Sequence, residues 1–306
     1  MTQARSPKLW SWFVVAGLAW TVGYFYNARY GGSLSWLRAM YEKKTAIAAQ
    51  VDAPKRLLIA GGSGAHYTIN SDVLTEALDV PVVNLGLDGP VGLNAILTTV
   101  LEKVRPGDVV LLIPEYQILL DEDGIGDRTA PFALALGRPR LGNVPPKELV
   151  QATLLLGVPT LREVVKSGWD LLEEGRLTGY YDDPLTERGD PTKTKPRTGQ
   201  WWQMRFDKPI SDHAAAKIRQ FKAEVEEKGG TLVLSLPWVY ADREEETLEN
   251  VRETADVLES IAPTIYDRET LNLQTDSSLF ADTHYHLLPE ARVLRSRQII
   301  RQFGNQ

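Results

Sequence analysis

Residues 57–66 read LLIAGGSGAH, and this stretch determines how the rest of the chain is interpreted. Four consecutive apolar residues followed by two glycines are typical of a strand that is buried on both faces and ends in a tight turn. The apolar runs VPVVNL at 80–85 and DVVLLIP at 108–114 have the same character. Helical periodicity at 71–78 and 92–104 separates the three runs. This spacing of strand and helix predicts a parallel sheet that is covered by helices on both faces.

The alternation of helix and strand breaks down between about 120 and 211 and then returns. We therefore predict an α/β fold, a flavodoxin-like three-layer sandwich with a five-strand parallel sheet, preceded by one N-terminal transmembrane helix. The later predicted helices cover 211–228, 244–259 and 289–303. The five strands are expected near 57–60, 81–84, 108–113, 231–235 and 263–266.

Two domains are predicted, one short and one long. Residues 1–50 are expected to form a membrane anchor and stalk, and residues 51–306 the α/β domain, with an insertion at about 120–211. The insertion contains helical patterns and then a run at 180–200 that is rich in Pro, Gly and charge. A loop of this length in a compact domain usually carries function or moves.

The composition excludes several classes of protein. Of 306 residues, 43% are hydrophobic and 24% are charged, which is typical of a globular protein with a sizeable core. A balance of 34 Lys and Arg against 40 Asp and Glu argues against a nucleic-acid partner. The absence of cysteine excludes disulfides, thiolate metal sites and a cysteine nucleophile. With only four histidines, we expect neither a metal site nor a cofactor.

Residues 9–26 (LWSWFVVAGLAWTVGYFY) carry no charge and predict a single-pass membrane anchor. As a helix this segment would be ~27 Å long, close to the ~30 Å hydrocarbon core of a bilayer. Trp10 and Trp12 near one end and Tyr24 and Tyr26 near the other resemble the aromatic belts of a spanning helix. A buried core helix would show a polar face, and a signal peptide would need a small-residue cleavage site. Basic residues flank the segment on both sides, so charge alone does not decide its orientation.

The first two predicted strand ends carry residues suited to acyl chemistry. Ligands of open parallel sheets bind at the carboxyl ends of the strands. Ser63 lies in the Gly-rich turn after the first strand, which is the exposed, uncrowded position that a nucleophile needs. A helix-capping serine would give the same pattern. The glycines of NLGLDG at 84–89 would let a backbone N–H approach a ligand closely, although an ordinary strand exit would look similar.

The turn before the last predicted helix, DTHYHLLP at 282–289, combines one carboxylate with two imidazoles. A carboxylate and an imidazole in one turn can supply a base and the group that orients it for a serine. The alternative is a capped loop with incidental histidines. That alternative is weakened because two of the four histidines of the chain lie in this turn.

The blocks GGSGAHYTIN, VVNLGLDGPVGL and FADTHYHLLPEARVLRS, in this order and at these strand ends, resemble the SGNH (GDSL-type) hydrolase superfamily. They are most similar to its membrane-anchored branch, which includes the D-alanine transfer protein of teichoic acid operons and the alginate O-acetyltransferases. The resemblance covers about residues 55–120 and 205–303. It implies an uncleaved anchor with a periplasmic C-terminal domain. It also implies acyl transfer through a serine ester, as hydrolysis or as esterification of a glycan, often beside a membrane-bound O-acyltransferase.

The resemblance implies a role for individual residues. Ser63 corresponds to the nucleophile and supplies one oxyanion N–H, and Gly86 supplies the second. His286 corresponds to the general base, and Asp282 is the acid that would orient it. The possible accessory residues are His66, Asn84, Glu115 and His284.

The chain also departs from the family pattern. The family has an asparagine after the third strand that donates to the oxyanion, and this chain has Pro114-Glu115-Tyr116 there. An ionised Glu115 cannot donate and would repel an oxyanion, and loss of one donor typically costs ~10²–10³ in rate. Asp282 and His286 are four residues apart instead of the usual three.

These departures keep a second hypothesis open, a catalytically degenerate SGNH-like fold that serves as a structural subunit of a membrane complex. Trp201-Trp202, Tyr180-Tyr181 and Trp238 would then be contact anchors, whereas in an enzyme they would line a sugar groove. A third alternative is that some of these aromatic residues belong to the core. A nucleotide-binding protein is a weaker third hypothesis, because no phosphate loop follows the first strand.

Overall fold

The computed structural model describes residues 7–175, 185–195, 197–199 and 201–304. It confirms the predicted α/β class with a five-strand parallel sheet. The strands of this sheet are β1 (Leu57–Ala60), β2 (Val82–Asn84), β3 (Val109–Leu112), β4 (Thr231–Ser235) and β6 (Thr264–Ile265), and a smaller parallel pair is formed by β5 (Val239–Tyr240) and β7 (Leu273–Gln274).

The strand order in the large sheet is β2-β1-β3-β4-β6, with every neighbouring pair parallel. Counted along the chain within this sheet, the order is the 2-1-3-4-5 arrangement of flavodoxin-like folds. The order reverses direction at β1, so β2 and β3 lie on either side of it. Loops that leave the carboxyl ends of β1, β2 and β3 therefore share one edge of the sheet.

The described part of the chain contains twelve α-helices. They are α1 (Pro7–Arg29), α2 (Gly32–Gln50), α3 (Ser63–His66), α4 (Ser71–Leu78), α5 (Leu93–Leu101), α6 (Tyr116–Leu119), α7 (Thr129–Ala135), α8 (Pro146–Leu156), α9 (Leu161–Glu174), α10 (Asp212–Glu227), α11 (Glu245–Glu259) and α12 (Pro289–Phe303).

The central strands are almost entirely buried, which explains why their sequences are uninterrupted apolar runs. Leu57 and Ile59 of β1 point into one core layer together with Leu111 of β3, while Leu58 lies on the other side of the sheet. Full burial of one such side chain contributes about 1.5–3 kcal/mol to stability. Packing therefore fixes the positions of these strands, and with them the points at which the loops of the site begin.

A buried ion pair joins the start of β1 to the start of β3. The guanidinium group of Arg56 donates to both carboxylate oxygens of Asp108, at 2.9 and 2.6 Å, and both side chains are almost fully buried. Arg56 also donates to the carbonyl oxygens of Ala48 (2.6 Å) and Lys103 (2.9 Å). Each of the three guanidinium nitrogens of Arg56 thus has an acceptor, and Asp108 compensates the buried charge.

The chain divides into two compact units. One comprises residues 1–39, 130–140 and 144–182, and the other comprises residues 40–129, 141–143 and 183–306. This division falls inside α2, whereas the sequence predicted a boundary at residue 50. The first unit contains α1, α8 and α9, so part of the predicted insertion belongs with the N-terminal helix.

Within the described residues, Leu9–Arg29 is the one helical segment that is long and apolar enough to cross a membrane. Its large apolar side chains are exposed, including those of the consecutive residues Trp12, Phe13, Val14 and Val15. Exposure on consecutive positions means that the N-terminal half of the helix is exposed on all sides, which is the pattern expected of a helix that contacts lipid.

Candidate active site

Ser63 is the first residue of α3 and lies directly beyond the carboxyl end of β1. The turn depends on Gly61, whose φ of +144° is unfavourable for other residues. A Cβ atom at Gly61 would also collide with the carbonyl oxygen of Ile113. The glycine therefore allows a sharp exit from β1 that leaves Ser63 half-buried at the edge of the sheet.

The carboxylate of Glu115 occupies the turn around Ser63. Its Oε2 accepts the N–H of Gly62 at 3.1 Å, and its Oε1 accepts the N–H of Gly64 at 2.6 Å. The Oγ of Ser63 donates to the same Oε1 at 3.2 Å. Backbone N–H groups that converge in this way are what an oxyanion site supplies, and here they bind an anionic oxygen of the chain itself.

The two glycines beside Ser63 make room for that carboxylate. A Cβ atom at position 62 would lie 2.5 Å from Oε2 of Glu115, and one at position 64 would lie 2.7 Å from its Cγ. Glu115 is fully buried as a result. A side chain at position 62 is thus excluded sterically as long as Glu115 occupies this turn.

Burial raises the pKa of the Glu115 carboxyl, because water no longer stabilises its charged form. The N–H groups of Gly64 and Gly62 lower this pKa in part, and the negative charge of Asp88 raises it again. Asp88 is itself paired with Arg128. Glu115 is therefore protonated more readily than an exposed glutamate, and its neutral form would carry one O–H donor.

The side chains of His286 and Asp282, which the sequence predicted as base and orienter, are in hydrogen-bond contact. Nδ1 of His286 lies 2.7 Å from Oδ1 of Asp282, despite their four-residue spacing. This contact favours the tautomer with the proton on Nδ1, which leaves the lone pair on Nε2. Nε2 is buried and has no hydrogen-bond partner in the described part of the chain. Burial would raise the pKa of Asp282, but the hydrogen bond and charge of His286 lower it overall.

Tyr67 connects the serine turn to the histidine turn. Its N–H donates to the carbonyl oxygen of Ser63 at 2.9 Å, and its carbonyl oxygen accepts the N–H of Leu287 at 3.2 Å. The Tyr67 ring lies against the His286 ring, with 4.2 Å between centroids. Ser63 and His286 therefore lie in the same region, although no hydrogen bond joins their side chains among the residues described.

Gly86 does not present a free N–H. That group donates to Oδ1 of Asn84 at 2.9 Å. A Cβ atom at Gly86 would lie 2.5 Å from the backbone nitrogen of His66. The predicted second oxyanion donor is thus already engaged, and the glycine allows β2 to pack closely against α3.

The predicted accessory residues His66 and Asn84 belong to a buried network behind Ser63. Nδ1 of His66 lies 2.9 Å from Nζ of Lys44, which also donates to Oδ1 of Asn84 at 3.2 Å. Asn84 donates to Asp190 at 2.8 Å, and Asp190 accepts both the N–H and the hydroxyl of Ser71. Burial lowers the pKa of Lys44 to about 7, although the charge of Asp190 opposes this. The network supports α3 and has no contact with solvent at Lys44.

The sequence did not identify Lys44 or Asp190 as site residues. Lys44 lies in the predicted stalk, and Asp190 lies in the charged run of the insertion, where neither belongs to a local motif. A long-range contact of this kind leaves no periodicity or spacing from which it could be predicted.

His284 lies in an aromatic cluster and not beside Ser63. Its Nε2 is hydrogen-bonded with the carbonyl oxygen of Trp202 at 2.9 Å, and its ring packs on Trp201 with 4.9 Å between centroids. The Trp202 side chain is 78% exposed, as a contact or sugar-stacking residue would be. Trp238 is a core residue, the third alternative for these aromatics, because its side chain is buried and donates to Gln298 at 2.6 Å. Tyr180 and Tyr181 lie outside the described residues.

No protein-family description and no curated protein matches this sequence. Among solved structures, the crystal structure of protein YxiM from Bacillus subtilis is similar, with 11% sequence identity and a TM-score of 0.39. The alignment covers 83% of this chain and 57% of that one, so the chain spans little more than half of the length of YxiM.

Proposed function

We propose that the chain is a membrane-anchored SGNH-like serine acyltransferase or esterase that acts on cell-envelope glycans from the periplasmic side. The main support is the His286–Asp282 pair, in which Nε2 of His286 is buried without a partner. An unsatisfied buried polar atom costs about 1–3 kcal/mol. Its retention beside the turn of Ser63 favours a role for that lone pair.

In the proposed first step, Ser63 turns its hydroxyl from Glu115 towards His286 by rotation about χ1. Nε2 of His286 takes the hydroxyl proton, and Oγ attacks the carbonyl carbon of the acyl donor. The carbonyl electrons move to the oxygen, which becomes an oxyanion. When the tetrahedral intermediate collapses, the leaving oxygen takes the proton from His286 and Ser63 remains acylated.

The second step returns the acyl group. A water molecule or a glycan hydroxyl gives its proton to His286 and attacks the serine ester, and the proton then passes to Oγ of Ser63. Asp282 accepts the hydrogen bond from Nδ1 of His286 and stabilises the imidazolium in both steps. Trp202, with its large exposed face, is a suitable platform for a sugar ring.

In this proposal, the N–H groups of Gly62 and Gly64 are the oxyanion donors, and Glu115 is an internal occupant of their site. A carboxylate oxygen at these donors has the charge and hydrogen-bond geometry of an oxyanion. Catalysis therefore requires that Glu115 be displaced or neutralised. The raised pKa of Glu115 makes neutralisation easier than for an exposed glutamate.

The second candidate is a catalytically inactive structural subunit of a membrane complex. The contacts of Glu115 also favour this candidate, since three hydrogen bonds hold its carboxylate where an acyl oxygen would bind. In that case Glu115 locks the turn after β1, and exposed aromatic residues such as Trp202 contact a partner.

Ester hydrolysis by the full-length protein in membranes separates the two candidates. Ser63→Ala should abolish hydrolysis of an activated acetyl ester, while Ser260→Ala, at an exposed serine outside the site, should leave it unchanged. Equal rates for the wild type and Ser63→Ala would support the structural candidate.

A further inference from the structure

Helices α8 and α9 form a hairpin (residues 146–174) in the compact unit that also contains α1. This hairpin packs on the C-terminal part of α1. Nε1 of Trp20 donates to the carbonyl oxygen of Leu154 at 3.0 Å, and Nδ2 of Asn27 donates to that of Leu156 at 2.8 Å. Both bonds involve carbonyl groups at the end of α8, which need partners outside the helix.

Small residues bring α1 and the hairpin into close contact. A Cβ atom at Gly23 would collide with the backbone of Gly157 and would lie 2.9 Å from Cδ of Pro159. The hydroxyl of Tyr26 donates to the carbonyl oxygen of Glu163 at 3.0 Å. Close approach through small residues, with hydrogen bonds to exposed backbone carbonyls, is how helices associate inside membranes.

The tip of the hairpin is uncharged. No Asp, Glu, Lys or Arg occurs between Glu148 and Arg162, where the sequence reads LVQATLLLGVPTL. This stretch is too short to span a bilayer, and its length is typical of re-entrant or interfacial segments. It lies against Trp20–Asn27, inside or next to the apolar segment of α1.

The exposure pattern of α9 is inverted relative to that of a helix on the surface of a water-soluble protein. Its inward residues are polar: Glu163 and Ser167 are half-buried, and Asp170 is 4% exposed. Lys166 reaches towards this side and pairs with Asp170. A helix in water turns its polar face outward, so this orientation indicates an apolar surrounding medium.

Large apolar side chains are exposed along both helices of the hairpin, and the exposed charged residues Arg162 and Glu173 lie near the two ends of α9. Leu161 and Leu172 are 79% and 83% exposed, and their neighbours on this surface are also more than half exposed. Exposed apolar patches of this extent mark binding surfaces or membrane contact. The exposed apolar residues of this surface include Leu154, Val158, Leu161, Val165, Trp169 and Leu172.

We propose that the α8–α9 hairpin is a second membrane element, inserted beside the C-terminal part of α1 in the same leaflet and covered by lipid. This rests on the proposal that α1 spans the membrane. Lipid is favoured over a protein partner because exposed large apolar side chains occur on consecutive positions of α1 and on both helices of the hairpin. A protein partner would cover one stripe, whereas lipid covers every side.

The absence of native cysteine allows a direct depth measurement on the full-length protein. Single cysteines at Val158, Val165 and Leu172 would carry a nitroxide label in phosphatidylcholine–phosphatidylglycerol vesicles. Phe13 in α1 is the lipid reference, and exposed Glu249 in α11 is the aqueous reference. Collisions with oxygen, which concentrates in lipid, are compared with collisions with a water-soluble nickel chelate.

We expect the three hairpin labels to show an oxygen-to-nickel collision ratio several-fold above that of Glu249 and close to that of Phe13. Hairpin labels that collide with nickel as Glu249 does, while Phe13 remains in lipid, would overturn this proposal and leave the anchor intact. A label at Phe13 that collides freely with nickel would overturn the anchor itself. Hairpin labels shielded from both reagents would indicate a protein partner and would also contradict the proposal.

Discussion

The hydroxyl of Ser63 donates a hydrogen bond to Oε1 of Glu115 at 3.2 Å, and the same carboxylate accepts the N–H groups of the residues on either side of the serine. Glu115 occupies the position at which the family that the sequence resembles has an asparagine that donates to the oxyanion. In the proposed enzyme these N–H groups are the oxyanion donors, and Glu115 controls whether they are open to the substrate.

Replacement of Glu115 by Gln should raise the rate of ester hydrolysis. The neutral amide loses the charge that opposes an oxyanion, and it cannot accept hydrogen bonds at its nitrogen. Because one oxyanion donor is worth ~10²–10³ in rate, we expect a gain on the order of tenfold or more at pH 7. The rate is measured with an activated acetyl ester. Glu122→Gln, at an exposed glutamate, is the matched control, and a lower rate for Glu115→Gln would contradict this role.

The stability of the protein should depend on the ionisation of Glu115. Its pKa is raised in the folded state above the ordinary value of 4.5, so the folded protein binds this proton more tightly than the unfolded chain. Stability from this group is fully present below pH 4.5 and is lost as the pH rises through the folded pKa. The slope is at most about 1.4 kcal/mol per pH unit.

Urea unfolding of the wild type and Glu115→Gln, measured between pH 4 and pH 8, tests this dependence. The free energy of unfolding of the variant should increase relative to the wild type as the pH rises. A difference that stays constant over this range would show that the carboxyl group does not titrate with a raised pKa.

His286→Ala and Asp282→Asn should reduce activity by different amounts. Without His286 no base accepts the proton of Ser63, so hydrolysis should fall to background. Asp282→Asn retains the hydrogen bond geometry but stabilises the imidazolium less, and we expect a smaller loss, of about 10²–10⁴ in kcat. Steady-state kinetics on folded variants measures both. Full activity of His286→Ala would exclude it as the base.

Loss of the buried Arg56–Asp108 ion pair should destabilise the protein more than loss of an exposed ion pair. Arg56→Ala leaves the carboxylate of Asp108 buried without its partner, and such a loss typically costs about 3–5 kcal/mol. Arg268→Ala removes an exposed partner of Glu259 and should cost about 1 kcal/mol or less. Thermal unfolding of the two variants should therefore differ clearly. Similar melting temperatures would mean that the Arg56 pair is not maintained in solution.

The fold could be predicted from sequence because its strands are signalled locally. The apolar runs at 57–60 and 231–235 coincide with β1 and β4, and the limits predicted for β2 and β3 differ by one residue. The pair β5 and β7 was missed, since strands of two residues produce no pattern. Helix α6 follows Glu115 for only four residues, too short for a helical period.

The site could be predicted only in part. The blocks gave Ser63, His286 and Asp282 as candidates, which stay predictions, and the position of Glu115 followed from the third strand. The contact of Glu115 with the glycines beside Ser63 could not be predicted, because it depends on how β1 and β3 pair. The hydrogen bond from the N–H of Gly86 to Asn84 could not be predicted either, because a sequence does not show whether a backbone N–H has a partner.

The central claim, that Ser63 is an activated nucleophile, is tested most directly by its reaction with a fluorophosphonate. Full-length wild type and Glu115→Gln would be treated in membranes, and the adduct located by mass spectrometry. We expect an adduct on Ser63 in the wild type. It should form more rapidly in Glu115→Gln and be absent from His286→Ala. Folded wild type and Glu115→Gln that both leave Ser63 unlabelled would contradict it and favour the structural subunit.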